Sequence, residues 1–184
     1  MSIKTAAVPH RTLGKTGLQV SLLGIGGYHL GLAKDQAEAT RIVRESMESG
    51  VNFCDNAWEY HDGLSEDRMG IALEGVRRDV ILMTKVCTHG RGKDLAMRML
   101  EESLRRLKTD YLDIWQIHEV IYPNDPEMIF RANGVAEALV QVAMHTQHHR
   151  GQCMTRLKDF GGEPKNVDWI IWLWKGKPQA RWET

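Results

Sequence analysis

Apolar residues in the first two-thirds of the chain follow two alternating rhythms. Short, nearly continuous apolar runs at residues 21–27, 51–55, 79–85 and 111–118 predict buried strands. Between them, apolar and small residues recur at three- and four-residue spacing, which predicts helices. The first helix has Asp35 and Glu38 as a capping box, an inward stripe of Ala39, Ile42, Val43, Ser46 and Met47, and Gly50 as its stop. A second begins near Ser65 with Met69, Ala72, Leu73 and Val76 inward. A third begins near Asp94 with Ala96, Leu100, Ser103, Leu104 and Leu107 inward. Ahead of all of these, residues 11–20 place two short apolar segments on either side of a Gly-bounded turn, the pattern of a small hairpin.

Single helices alternating with strands every roughly 30 residues imply right-handed crossovers and a parallel sheet. The expected fold is α/β, a truncated (β/α) TIM-type barrel of about four β/α units with an N-terminal hairpin. A complete barrel has eight strands in typically about 250 residues. After His118 the rhythm changes. Tyr122, Pro123, Asn124, Asp125 and Pro126 form a polar turn, and a long helix is predicted from about Val135 to Phe160. Val135, Leu139, Val142, His149, Cys153 and Leu157 fall near one face of that helix, and Gly161-Gly162-Glu163-Pro164 ends it. The tail beyond carries Trp169, Trp172, Trp174 and Trp182, and its pattern fits a strand or a short helix.

Charge narrows the function classes. Lys plus Arg and Asp plus Glu number 24 each, so no net field favours nucleic acid or an anionic membrane surface. Cys54, Cys87 and Cys153 are odd in number and widely spaced, which fits free thiols and a cytoplasmic location. The N-terminal residues lack the apolar core of a signal peptide, and no run of about 18 apolar residues could span a bilayer.

The candidate chemistry sits at the strand ends. Asp55, Lys85 and His118 close three successive strand-like runs, and Tyr60 lies on the loop after the first of them. Parallel β/α architectures gather such groups outside the carboxyl ends of their strands, so topology alone would bring these residues together. A lysine ammonium beside a phenol favours the phenolate and makes the phenol a better proton donor. Asp55 would hold the lysine, and His118 could hydrogen-bond a substrate oxygen and fix its carbonyl. Each residue alone has an ordinary structural explanation as a turn cap, a solvated charge or a packed ring. Together they suit protonation of an alkoxide as hydride arrives.

At these residues the sequence resembles the aldo-keto reductase family. The likeness is carried by Arg11-Thr12-Leu13-Gly14-Lys15-Thr16-Gly17-Leu18, Gly24-Ile25-Gly26-Gly27 and the block from Gly50 to Tyr60. It continues through Gly63-x-Ser65-Glu66, Thr84-Lys85-Val86 and Glu102-Ser103-Leu104-Arg105-Arg106-Leu107, and covers about residues 10–140. The resemblance implies Tyr60 as proton donor, Lys85 and Asp55 tuning it, His118 orienting a small carbonyl substrate, and NADPH as cofactor without a Rossmann fingerprint. Gly26, Gly27 and Asp55 would lie by the nicotinamide end. The family's later strands, which carry the carboxamide and phosphate contacts, have no counterpart here.

Residues 141–184 form a second expected region. His145 and His149 stand at i and i+4, one helical turn apart, where they could chelate a divalent metal such as Zn or Ni. His145-x-x-x-His149-Arg150-Gly151-Gln152, with Gly161-Gly162-x-Pro164 and the Trp-rich end, resembles the last helix and tail of DinB-like metal-binding four-helix proteins. Three readings follow. One is an NADPH-dependent carbonyl reductase, and another a non-catalytic metal-binding or interaction protein built on His145 and His149. The last is an inactive fusion product whose unpaired strand edges favour a homodimer.

Overall fold

The chain enters the fold through a two-stranded antiparallel hairpin, β1 (His10–Thr12) and β2 (Gln19–Ser21), in which Arg11 pairs with Val20. In the computed structural model, residues 8–87 and 91–144 are described. The chain divides into two units, residues 1–136 and 137–184. The described part of the second, residues 137–144, is helical.

The first unit is built on a four-stranded parallel sheet in chain order, β3 (Gly24–Gly26), β4 (Phe53–Asp55), β5 (Ile81–Val86) and β6 (Ile114–Ile117). Neighbouring strands that are sequential and parallel need a crossover between them, and helices supply each one. A single turn, α1 (Gly27–Leu30), and then α2 (Gln36–Glu48) lie between β3 and β4. Helix α3 (Leu64–Ala72) lies between β4 and β5, and α4 (Lys93–Arg106) between β5 and β6. This is a partial TIM-type α/β fold, and its parallel order of alternating strands and helices is the one the patterns imply.

Strand β5 is buried at every residue, as a central strand covered on both faces must be. The core joins Ile25, Cys54 and Leu82 from the sheet to Leu30, Ala39, Val43, Met69 and Leu73 from the helices. Full burial of a Val, Leu, Ile or Met side chain in this set contributes about 1.5–3 kcal/mol of transfer free energy. Helix α2 begins as its sequence implies, with the Asp35 carboxylate accepting the Glu38 N–H at 2.8 Å. The return bond of the box differs: Glu38 Oε2 accepts from the Lys34 N–H at 2.6 Å, one residue earlier than the N-cap. Gly50, at φ +93°, reverses the chain after the helix.

Two expectations change. Ile42 is exposed, because α2 buries only the narrow Ala39–Val43 seam and leaves Ile42 at its rim. The polar segment around Pro126 is the start of a helix, α5 (Asp125–Phe130), not a simple turn. Proline in a first helical turn loses no hydrogen bond, so it begins this helix rather than breaking it. Residues 135–144 are helical, and the rest of the long helix expected to about Phe160 lies outside the described residues. Among the described residues, no helix is long and apolar enough to cross a membrane.

Candidate active site

Parallel register sets the site. Gly26 pairs with Asp55 across β3 and β4, and Asp55 with Met83 across β4 and β5, while Lys85 pairs with Gln116 across β5 and β6. Asp55 therefore ends its strand beside the strand that carries Lys85. The Lys85 ammonium donates to the Asp55 carboxylate and, at 2.8 Å, to the main-chain carbonyl of Asn56. Lys85 is 8% exposed, so a partner is obligatory.

The backbone after β4 holds the next residues in place. The Asn56 and Trp58 N–H groups donate to the Met83 and Lys85 carbonyls at 2.9 and 3.1 Å, extending the ladder past the strand. The chain then enters a 3₁₀ turn, Tyr60–Gly63, in which His61 and Asp62 both take positive φ near 54°. Side chains over-determine that costly conformation. The His61 ring shares a hydrogen bond with the Tyr28 carbonyl at 2.9 Å and lies against the Tyr28 ring. Behind the turn, Arg106 donates to the Trp58 carbonyl at 3.0 Å and to Glu102 at 2.8 Å, and Trp58 Nε1 donates to Glu102 at 2.9 Å.

Tyr60 is thus presented to the same strand ends. The Lys85 ammonium lies 5.1 Å from the centre of its ring. His118 and Tyr28 meet that ring edge-on, each with centroids 5.5 Å away. The structure brings Asp55, Tyr60, Lys85 and His118 into one cluster. His118 follows β6, its N–H donating to the Val86 carbonyl at 2.9 Å. Its Nδ1 lies 2.6 Å from Glu59 Oε1, but the approach is off the hydrogen-bond direction, so Nδ1 has no directional partner.

Gly26 and Gly27 differ sharply. A Cβ on Gly27 would stand 2.5 Å from Asn56 Oδ1, so that glycine permits close packing of α1 on the β4 end. A Cβ on Gly26 would meet nothing within 4 Å, which leaves open space beside Asp55.

Several neighbours escape a reading of the sequence. Buried Arg91 donates to Asp125 at 2.9 Å and to the carbonyls of His118 and Glu119, pinning the turn after β6. These contacts hold the Asp125 carboxyl well below its ordinary pKa, with hydrogen bonds from Arg91 first and from the Tyr122 and Ile121 N–H groups beside it. No local pattern pairs residues 34 positions apart. Buried Glu66 accepts from the Thr84 hydroxyl at 2.6 Å, and burial raises its pKa despite that bond and the nearby Arg106 charge. Glu59 and Asn56 were within reach of sequence reasoning, since both lie inside the Gly50–Tyr60 block. His145 and His149 lie outside the described residues.

A sheet whose strand ends gather a Lys–Asp pair, a tyrosine and a histidine defines a class of parallel β/α proteins. Residues 22–150 match the aldo/keto reductase family, and the chain belongs to that family of oxidoreductases. The match runs past residue 140, into the segment for which a DinB-like origin was the expectation. The chain is 38% identical over 122 residues to L-galactose dehydrogenase of Arabidopsis thaliana, covering 60% of this chain and 38% of that protein. It is similar to an aldo-keto reductase from Bacillus halodurans in its holo form, with TM-score 0.56, 38% identity, and coverage of 66% of this chain and 44% of that one. An aldo-keto reductase from Klebsiella pneumoniae in complex with NADPH gives TM-score 0.54 at 32% identity, over 61% of this chain and 41% of that one. The chain spans 38–39% of the length of the first three curated relatives it matches.

Proposed function

We propose that the chain carries the proton-handling site of an NADP(H)-dependent reductase that converts a small carbonyl compound to an alcohol. The observation that carries this reading is the Lys85 ammonium, tied to Asp55 and facing the Tyr60 ring at 5.1 Å, with His118 edge-on to that ring. Tyr60 is the proton donor. Negative charge that develops on its oxygen as the proton leaves is stabilised by the nearby ammonium. Asp55 and the Asn56 carbonyl fix where that ammonium sits. His118 donates to the substrate oxygen and orients the carbonyl.

Gly26, Gly27 and Asp55 would hold the nicotinamide end of the cofactor, and the open space at Gly26 beside Asp55 fits that use. When bound, NADPH supplies a hydride to the carbonyl carbon. The charge left on the substrate oxygen is then quenched by the Tyr60 proton. The NADPH-bound Klebsiella pneumoniae relative supports the choice of cofactor.

The test is a titration of the purified chain with NADPH, read by quenching of tryptophan fluorescence, followed by turnover of a generic aldehyde. Quenching and turnover are expected in the wild type. In Tyr60→Phe, quenching should persist and turnover should fall. Absence of both at millimolar NADPH overturns the reading.

A further inference from the structure

A second chemistry lies behind His118. Glu59, Cys87 and His118 each offer one ligand atom, and those atoms all lie within 4.8 Å of one another. Around a tetrahedral dication with bonds of about 2.0–2.3 Å, ligand atoms stand about 3.3–3.8 Å apart. Side-chain shifts would bring the cluster to that spacing, with Glu59 Oε1 and His118 Nδ1 moving apart from their 2.6 Å separation. We propose that Glu59, Cys87 and His118 form a binding site for a borderline-soft divalent cation of the Zn²⁺ or Co²⁺ kind.

The ligand set is the first argument. Thiolate, imidazole and carboxylate together select this class of ion over Mg²⁺ or Ca²⁺, which take oxygen. Charge is the second. Glu59 and Glu119 both act on the Cys87 thiol, and Glu119 Oε2 accepts from it at 3.8 Å. The nearby Arg91 is spent on Asp125 and on the carbonyls of His118 and Glu119. On binding a dication the S–H bond breaks, a metal–sulfur bond forms, and the thiol proton leaves to solvent. The third argument is the buried Nδ1 of His118, which has no directional partner although Glu59 lies beside it. A cation ligated by both, once they separate to the spacing above, would satisfy both groups.

Metal binding here does not depend on the reductase reading. Its effect on turnover does, because the ion would commit one nitrogen of the ring that faces Tyr60.

The experiment is a Co²⁺ titration of the full chain carrying His145→Ala and His149→Ala, which removes the other histidine pair. One equivalent should bind, with a sulfur-to-cobalt charge-transfer band in the near ultraviolet and tetrahedral d–d bands in the visible. Glu59→Gln should weaken binding about 10–100-fold or more, and Cys87→Ser should abolish the charge-transfer band. Circular dichroism checks that each variant folds; if Cys87→Ser does not fold, the wild-type band and the Glu59→Gln shift decide. Absence of the band, its survival in folded Cys87→Ser, or unchanged affinity in Glu59→Gln overturns the site. No carbonyl substrate or NADPH is present, so failure of the reductase reading leaves this result untouched.

Discussion

Lys85 reaches from the centre of the sheet to Asp55 at the neighbouring strand end, and the same ammonium is held by the Asn56 carbonyl at 2.8 Å. One cation is thereby fixed by two acceptors that β4 and the residue after it supply together. Lys85→Met should reduce aldehyde turnover by about 10²–10⁴-fold, the usual range for a group that serves proton transfer. Its cost in stability should stay below the roughly 3–5 kcal/mol of a broken buried pair, because the Asp55 side chain is 38% exposed and solvent screens what remains. Steady-state kinetics and urea unfolding measure the two effects separately.

The paired glycines at the end of β3 give opposite predictions. Gly27→Ala forces a Cβ against Asn56 and should destabilise the fold by about 1–3 kcal/mol. Gly26→Ala adds a methyl group to open space and should leave the urea midpoint nearly unchanged, while weakening NADPH binding in a fluorescence titration.

Glu66 predicts a pH dependence. Burial raises its folded-state pKa above the unfolded value, so the folded state binds the extra proton in that interval. Its contribution to stability is therefore fully present below the ordinary glutamate value of about 4.3 and declines as pH rises through the folded value. Unfolding free energies measured across that range should fall with pH from this group. Glu66→Gln should flatten the dependence.

Much of the fold was legible because short continuous apolar runs and period-3.6 stripes differ over segments as long as β5 and α4. Asp55, Tyr60, Lys85 and His118 were legible as a set because parallel topology sends strand ends to one rim. The turn α1 was not, since four residues are too few to show a period. Helix α5 was missed because Pro126 reads as a breaker until its place in the first turn is known. Arg91 with Asp125, and Cys87 with Glu59, join residues far apart in sequence and have no local signature.

Cys54 should be chemically silent in the folded chain. It is fully buried, and burial pushes its thiol up to about 12, with only a partial offset from Arg77. In a chain carrying Cys87→Ser and Cys153→Ser, Ellman's reagent at pH 8 should react only after denaturant is added. Rapid reaction without denaturant would show that the packing around β4 is open.

The central claim is that Tyr60 gives its proton to a carbonyl oxygen, and aldehyde-dependent oxidation of NADPH by the wild type and Tyr60→Phe tests it most directly. The wild type should consume NADPH only when aldehyde is present. Tyr60→Phe should lose at least about 10²-fold in that rate while its fluorescence titration with NADPH is unchanged. No aldehyde-dependent oxidation in the wild type, or an equal rate in Tyr60→Phe, would contradict the account.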